Sequence, residues 1–334
     1  MKYGFGRILI LVFGLAGVLS SAQEFPSEAA LQQGKKFVDA FYTGNVTEIW
    51  KNMNAQGQRL VENEAGLAAL ADQVKAKYGT ETSIVSERVL PGPHLRVYSR
   101  LAKYTISPRR IVVVCSFDDA GKISGFYVRE EQKEAESKYL DYLDKAKFVL
   151  PIKGPWLVYT GGRSGYDNYY AVQKNQRFAY DFTIVRDQKL YANQGDKLQD
   201  YFSFGQPVLA PADGVVAAVE DQYDDNPPLK PSVENPKQGN NVVIDHGHGE
   251  FSMLAYLKRG SIKVKAGEKV KAGQEIGLCG NSGNSPFPHV HYHLQNIADW
   301  SKGEGLPVQF RNYLADGKEV SSGEPIRFQL VQAK

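Results

Sequence analysis

Cysteine is nearly missing from this sequence. Two residues in 334, Cys115 and Cys279, exclude a disulfide-stapled scaffold and any cysteine-rich metal module. They sit far apart in apolar, strand-like runs, IVVVCSF and IGLCGNSG. That placement predicts buried free thiols in different domains, although an exported chain would permit a disulfide. An excess of one charge is missing too: 40 Lys and Arg face 37 Asp and Glu, a formal +3. Such a balance offers no electrostatic case for nucleic acid. No apolar run reaches the ~20 residues that a membrane-spanning helix requires, and low-complexity tracts are absent. The length exceeds one typical domain and suits two.

The first residues read as a leader. Lys2 and Arg7 form a short basic start, residues 8–19 a mostly apolar stretch, and Ser20-Ser21-Ala22 a small-residue cleavage site. With no cysteine nearby, a lipid anchor is not expected. The reading is a signal peptide over 1–22 and a secreted or periplasmic chain that starts near Gln23. Losing Lys2 and Arg7 brings the net charge to +1.

From 26 to 131 the pattern is α then β. Apolar spacing predicts helices over 29–42, 47–53 and 65–78, the last stopped by Gly79. Strand-like segments follow at 82–90, 95–104, 110–117 and 123–128, with Asp118-Asp119-Ala120-Gly121 as a hairpin turn. The expectation is a small α+β domain. Its FDDAGKISGFYVRE segment resembles the last hairpin of cystatin-like, cone-shaped modules. His94 follows Pro91-Gly92-Pro93 and reads as a loop residue. The charged stretch 132–150 reads as a linker or connecting helix. Beyond it, 151–330 holds short β-runs cut by Gly, Pro and Asn, which predicts a mainly antiparallel β domain. Residues 224–239, DDNPPLKPSVENPKQG, form a long loop.

One stretch carries most of the chemistry: GLCGNSGNSPFPHVHYHL, residues 277–294. His289, His291 and His293, half of the six histidines, alternate with Val290, Tyr292 and Leu294. On a strand the three imidazoles leave one face and the apolar row the other. Two imidazoles at i, i+2 can share a metal, or place a ligand beside a base. A polar strand face with hydrogen-bonded histidines is the plainer alternative. The GNSGNS turn delivers the strand to the surface.

Five motifs occur in order: QRFAYDF (176–182), FGQPVLAPADGVV (204–216), GNNVVIDHGHGEFSMLAYL (239–257), GSIKVKAGEKVKAGQEIGLCGNSGNS (260–285) and PHVHYHL (288–294). Together they resemble the lysostaphin/LytM-type zinc endopeptidases, the twenty-third metallopeptidase family, which cut peptide cross-links of peptidoglycan. The resemblance implies an open antiparallel sheet with zinc in a groove. It implies metal ligation by Asp181 and His291, and a general base at His289. Three ligands leave a fourth position for water, whose pKa zinc lowers to about 7.

Two matches fail. The strand that resembles YAHL reads LAYL, so Tyr256 replaces the second catalytic histidine. The first ligand is missing as well, because no histidine lies between His94 and His246. The spacing to Asp181 puts Tyr170, in Asn168-Tyr169-Tyr170, at that position, with Arg177 as the alternative equivalent. Phenol binds metal only as phenolate, and its pKa of about 10 makes it a poorer ligand than imidazole near neutrality. Tyr170 or His293 would be the third ligand if one exists. His246 and His248, in DHGHG, read as turn residues.

Three functions compete at this level. The first is an exported, peptidoglycan-directed protein with a degenerate site, binding zinc weakly or not at all, and acting as a cell-wall binder or as regulator of another hydrolase. The second is a working zinc endopeptidase with a remodelled ligand set. The third, a lipoyl- or biotin-type carrier suggested by GEKVKAGQEIG, lacks a lysine-bearing tight turn. The leader generates the first prediction: protein recovered from its producing cell starts at or within a few residues of Gln23. N-terminal sequencing that returns Met1 would contradict it.

Overall fold

The computed structural model describes residues 27–92, 95–186, 190–232 and 236–334. The leader, His94 and residues 233–235 of the long loop lie outside the described residues. The chain divides into two units, Met1–Glu131 and Gln132–Lys334.

In the first unit, four helices precede four strands: α1 (Ser27–Thr43), α2 (Val46–Asn52), α3 (Ala55–Val61) and α4 (Glu64–Tyr78), then β1 (Glu81–Gly92), β2 (Leu95–Tyr104), β3 (Ile111–Phe117) and β4 (Ile123–Glu130). The strands form one antiparallel sheet in sequential order. Helix α1 buries Ala30, Phe37, Val38 and Phe41, spaced as one helical face. The Phe126 ring of β4 lies 5.1 and 5.7 Å from those of Phe37 and Phe41. A side chain at Gly34 would collide with the Tyr98 ring, so glycine lets α1 approach the sheet. Helix α3 was not anticipated, because AQGQRLV shows no apolar stripe. Its start is instead fixed by the Asn54 side chain, which accepts from Gly57 N at 2.9 Å.

The second unit is mainly antiparallel β. Its strands are β5 (Pro155–Thr160), β6 (Tyr180–Thr183), β7 (Pro207–Leu209), β8 (Gly214–Glu220), β9 (Asn240–Asp245), β10 (Phe251–Leu257), β11 (Lys269–Val270), β12 (Glu275–Leu278), β13 (Val290–Gln295), β14 (Gly305–Leu306), β15 (Phe310–Ala315), β16 (Lys318–Gly323) and β17 (Leu330–Ala333). The main sheet runs β11-β8-β9-β10-β13-β6-β5-β17-β15-β16, with β14 beside β13, while β12 and β7 pair separately. The last three strands were not expected. Their short runs carry little period-two alternation, and β16 is a polar, exposed edge.

The stretch 132–150 is a correction. No helix forms there, and it is not a free connector. Phe148 and Leu150 are buried in the second unit's core, with Tyr139, Tyr142 and Ala146 packed against it. The buried Glu250 carboxylate fastens the segment, accepting from Lys145 N at 2.5 Å, Ala146 N at 2.8 Å and the Tyr142 hydroxyl at 2.8 Å. The charges suggested a solvated linker because the few apolar residues carry the contacts and the rest face water. Phe148→Ala should therefore destabilise the second unit by about 3–5 kcal/mol, read from its urea unfolding midpoint. A free linker would show no shift.

Candidate functional site

Strand β13 serves two surfaces at once. Val290, Tyr292 and Leu294 enter the core beside Phe182 and Phe310. His291 and His293 leave the opposite face, and Gln295 continues that row. The register sets His291 opposite Asp181 of β6 and Ala255 of β10. Side chains directly opposite on one face start about 5 Å apart, so imidazole and carboxylate meet: His291 Nδ1 is 2.9 Å from Asp181 Oδ1.

His289 lies just before the strand and is held by loops. Its Nδ1 donates to Phe287 O at 2.7 Å, with Ser285 Oγ at 3.2 Å, which leaves Nε2 3.6 Å from Asp181 Oδ1. Ser285 Oγ in turn contacts Asn281 Oδ1 at 2.8 Å, and Asn281 Nδ2 donates to Asn226 O at 2.9 Å. The GNSGNS turn and the long loop thereby support the His289 ring.

Three tyrosines complete the cluster. Tyr169 and Tyr170 open a 3-10 turn, Tyr169–Val172. The buried Asn168 side chain shapes it, accepting from Tyr170 N at 2.9 Å and donating to Gly162 O and Ala179 O at 2.8 and 3.0 Å. Both hydroxyls turn onto Asp181. Tyr170 lies 3.2 Å from each carboxylate oxygen, and Tyr169 donates to Oδ2. Tyr256 reaches the same face through a bulge between Ala255 and Leu257, at φ 65°. Its ring sits 4.9 Å from that of His289 and 5.5 Å from that of His291. Tyr169 was missed at the sequence level, where the doubled tyrosine of NYY was its one signal. It is also the outermost member, 39% exposed, whereas Asp181, His289, His291 and His293 are buried.

Burial alone would raise the Asp181 pKa, but His289, His291 and the Tyr169 hydroxyl bring it below the ordinary carboxylate value. Burial pushes the Tyr169 and Tyr170 phenols well above theirs, with the Asp181 charge adding to the effect. Tyr256 is raised for the same reasons. The histidine row has a defined polarity. Gln295 Nε2 donates to Ala298 O at 3.1 Å, so its Oε1 accepts from His293 Nε2 at 2.9 Å. His293 Nδ1 then accepts from His291 Nε2 at 3.0 Å.

His293 is a correction as a third ligand beside Asp181. It contacts Nε2 of His291, the ring edge remote from Asp181, so one ion cannot join all three. Arg177 turns away from Asp181 and donates to the carbonyls of Ala135 and Arg163 at 2.9 and 2.5 Å. His246 is bound to Asp213 O and Ser252 Oγ, each at 2.8 Å, and His248 lies in the following turn. Among the described residues, no three His, Cys, Asp or Glu side chains form a metal-holding group. A zinc set of two imidazoles and one carboxylate therefore does not fit. Asp181 meets one well-placed imidazole, His291, and two phenols.

A histidine strand thus faces a buried carboxylate across an antiparallel sheet. Residues 194–304 match the model of peptidase family M23, and the chain carries a domain of that family. The matched span includes Tyr256 and the three histidines but starts after Asp181 and both turn tyrosines. Over 90 residues the chain is 41% identical to the peptidoglycan DD-endopeptidase ShyA of Vibrio cholerae, covering 27% of this chain and 17% of that protein. Over 54 residues it is 37% identical to the murein hydrolase activator EnvC of Escherichia coli, covering 16% and 12%. The chain thus spans less than a fifth of either relative. Among solved structures, the catalytic domain of the M23 protein EnpA from Enterococcus faecalis is 23% identical, with a TM-score of 0.31 over 48% of this chain and 94% of that one.

The buried imidazoles set a pH dependence. Burial lowers the pKa of His289 and His246 and brings His293 to about 3. Below about pH 6.5 the unfolded chain protonates these rings while the fold resists, so their stabilisation is present above that pH and lost as pH falls. The depressed Asp181 pKa acts in the same direction at lower pH. Unfolding free energies from urea titrations between pH 7 and 4 should fall by up to about 1.4 kcal/mol per pH unit for each such histidine. His293→Gln should flatten the slope.

Proposed function

We propose that this is an exported, peptidoglycan-directed protein whose M23 domain has lost its zinc chemistry and binds wall peptides or regulates another wall hydrolase. The observation that carries this reading is the closure of Asp181 by the Tyr169 and Tyr170 hydroxyls. A carboxylate that accepts from two phenols and an imidazole has its hydrogen-bonding capacity taken up without a metal. Tyr170 stands in for the absent first imidazole ligand. Tyr256 stands in for a proton-relaying histidine, and a neutral phenol accepts a proton poorly near pH 7. In this reading Asp181 and His291 are remnants of the ligand set and His289 of the base. The relatives named as an endopeptidase and as a hydrolase activator represent the two outcomes open to such a domain.

A working zinc endopeptidase is the second reading. It is favoured by the convergence of Asp181, His289 and His291, with His289 Nε2 free to face the carboxylate. Digestion of purified peptidoglycan separates the two. Wild-type protein with added zinc should release no peptide fragments above background. Tyr170→His combined with Tyr169→Phe should raise zinc affinity by at least about 10-fold. Adding Tyr256→His should then yield turnover, in excess of what either change gives alone. Tight zinc binding with wall digestion by the wild type would establish the second reading.

A further inference from the structure

Beside the Asp181 cluster the second unit carries a wall of aromatic side chains. The Phe287 ring lies 5.2 Å from that of His289 and 5.2 Å from that of Tyr159. Tyr159 in turn neighbours Tyr169, which is 39% exposed. Phe287 also clusters with Leu190 and Tyr201, and Tyr191 and Phe204 pack against them. Leu190, Tyr201 and Phe287 are buried and form the base, whereas Tyr159, Tyr191 and Phe204 keep part of their surface in water. The rings are fixed in advance. Tyr169 is tied to Asp181 through its hydroxyl, and Tyr191 and Tyr201 face each other across a backbone bridge with rings 5.1 Å apart. Gly195 lets its backbone lie against the Tyr191 ring, where a Cβ would collide. Aromatic side chains held this way lose little conformational entropy on binding.

Two observations select the ligand. The backbone behind the wall is paired internally: Tyr159 O accepts from Arg327 Nε at 3.2 Å, Leu190 O from Phe202 N at 3.1 Å and Tyr201 O from Phe204 N at 3.1 Å. An extended peptide draws its affinity from backbone partners along a strand edge. A pyranose ring needs only an aromatic face, whose negative quadrupole meets its C–H bonds. Cations also border the wall. The exposed Arg186 lies over the Phe202 ring at 4.8 Å, and Lys258 over the Phe204 ring at 5.3 Å. Two acids of the same loops are already engaged, Asp200 by Asn193 Nδ2 at 2.8 Å and Asp225 by Asn281 N at 2.6 Å. We propose that this wall binds a glycan of acylated amino sugars with free carboxylates, the chemistry of peptidoglycan strands stripped of their peptides. Sugar faces stack on Tyr159, Tyr191 and Phe204, and Arg186 and Lys258 receive the carboxylates.

This inference rests on the peptidoglycan-directed reading, yet the two fail separately. The full chain is titrated with peptide-free peptidoglycan glycan strands, with uncharged N-acetylglucosamine oligomers and with free wall peptides, and its retention on intact peptidoglycan is measured in parallel. Glycan strands should bind most tightly and the peptides least. Tyr191→Ala and Phe204→Ala should each weaken glycan binding by at least about fivefold, with unchanged circular dichroism showing an intact fold. Arg186→Gln combined with Lys258→Gln, both at the surface, should abolish the preference for the charged strands over the neutral oligomers and leave the neutral oligomers bound as before. Peptides bound as tightly as glycan, no preference for charged strands in the wild type, or unaltered glycan binding in all these variants would each overturn the proposal. Retention on intact peptidoglycan without glycan binding would overturn it alone, whereas failure on both would overturn the reading beneath it.

Discussion

A carboxylate buried to about 1% of its surface has to be met by donors, and the second unit places several around Asp181. The pairing of β6 with β13 supplies His291. The turn at 169–172 supplies two phenols, and the loops behind His289 aim its Nε2 inward. The phenols lie 11 and 12 residues from Asp181 in sequence, whereas 110 residues separate it from His291. The electrostatics follow from the same enclosure. Burial alone would raise its pKa, and its donors bring it below the ordinary carboxylate value.

The same strand ties stability to chemistry. Along β13, alternate residues fill the core and line the site, so a shift of one residue would exchange Tyr292 for His291 and ruin both. The apolar partners Tyr180, Phe182 and Phe310 hold the register. At Tyr256 the opposite device operates. Strict alternation would send that side chain into the core, but a bulge with positive φ turns it to the imidazoles. Non-glycine residues seldom adopt that conformation. Here the adjoining backbone supports it, with Tyr256 N donating to Gln238 O at 3.2 Å and Gly280 N donating to Tyr256 O at 3.0 Å.

Much of the second unit was legible from short-range pattern. The period-two alternation of PHVHYHL, the glycine-bounded β-runs and the motif order pointed to an antiparallel domain with one histidine face. In the first unit, apolar spacing marked three of the four helices and all four strands. Patterns failed where contacts are long-range or sparse. Segment 132–150 looks solvated because its apolar anchors are few, and β15–β17 carry little alternation because they finish a sheet at its edge.

The sequence by itself determined which donors exist: one aspartate in QRFAYDF, a histidine triplet, and tyrosines where two histidines would be expected. Residue identity and strand period are local properties, so they are readable without a fold. Only the tertiary structure decided how those donors divide. Strand register placed His291 against Asp181 and turned His293 toward the ring's other edge. A buried asparagine shaped the turn that brought Tyr169, as well as Tyr170, onto the carboxylate. The approach of His291 to Asp181 joins atoms 110 residues apart, and no spacing rule within one segment contains it.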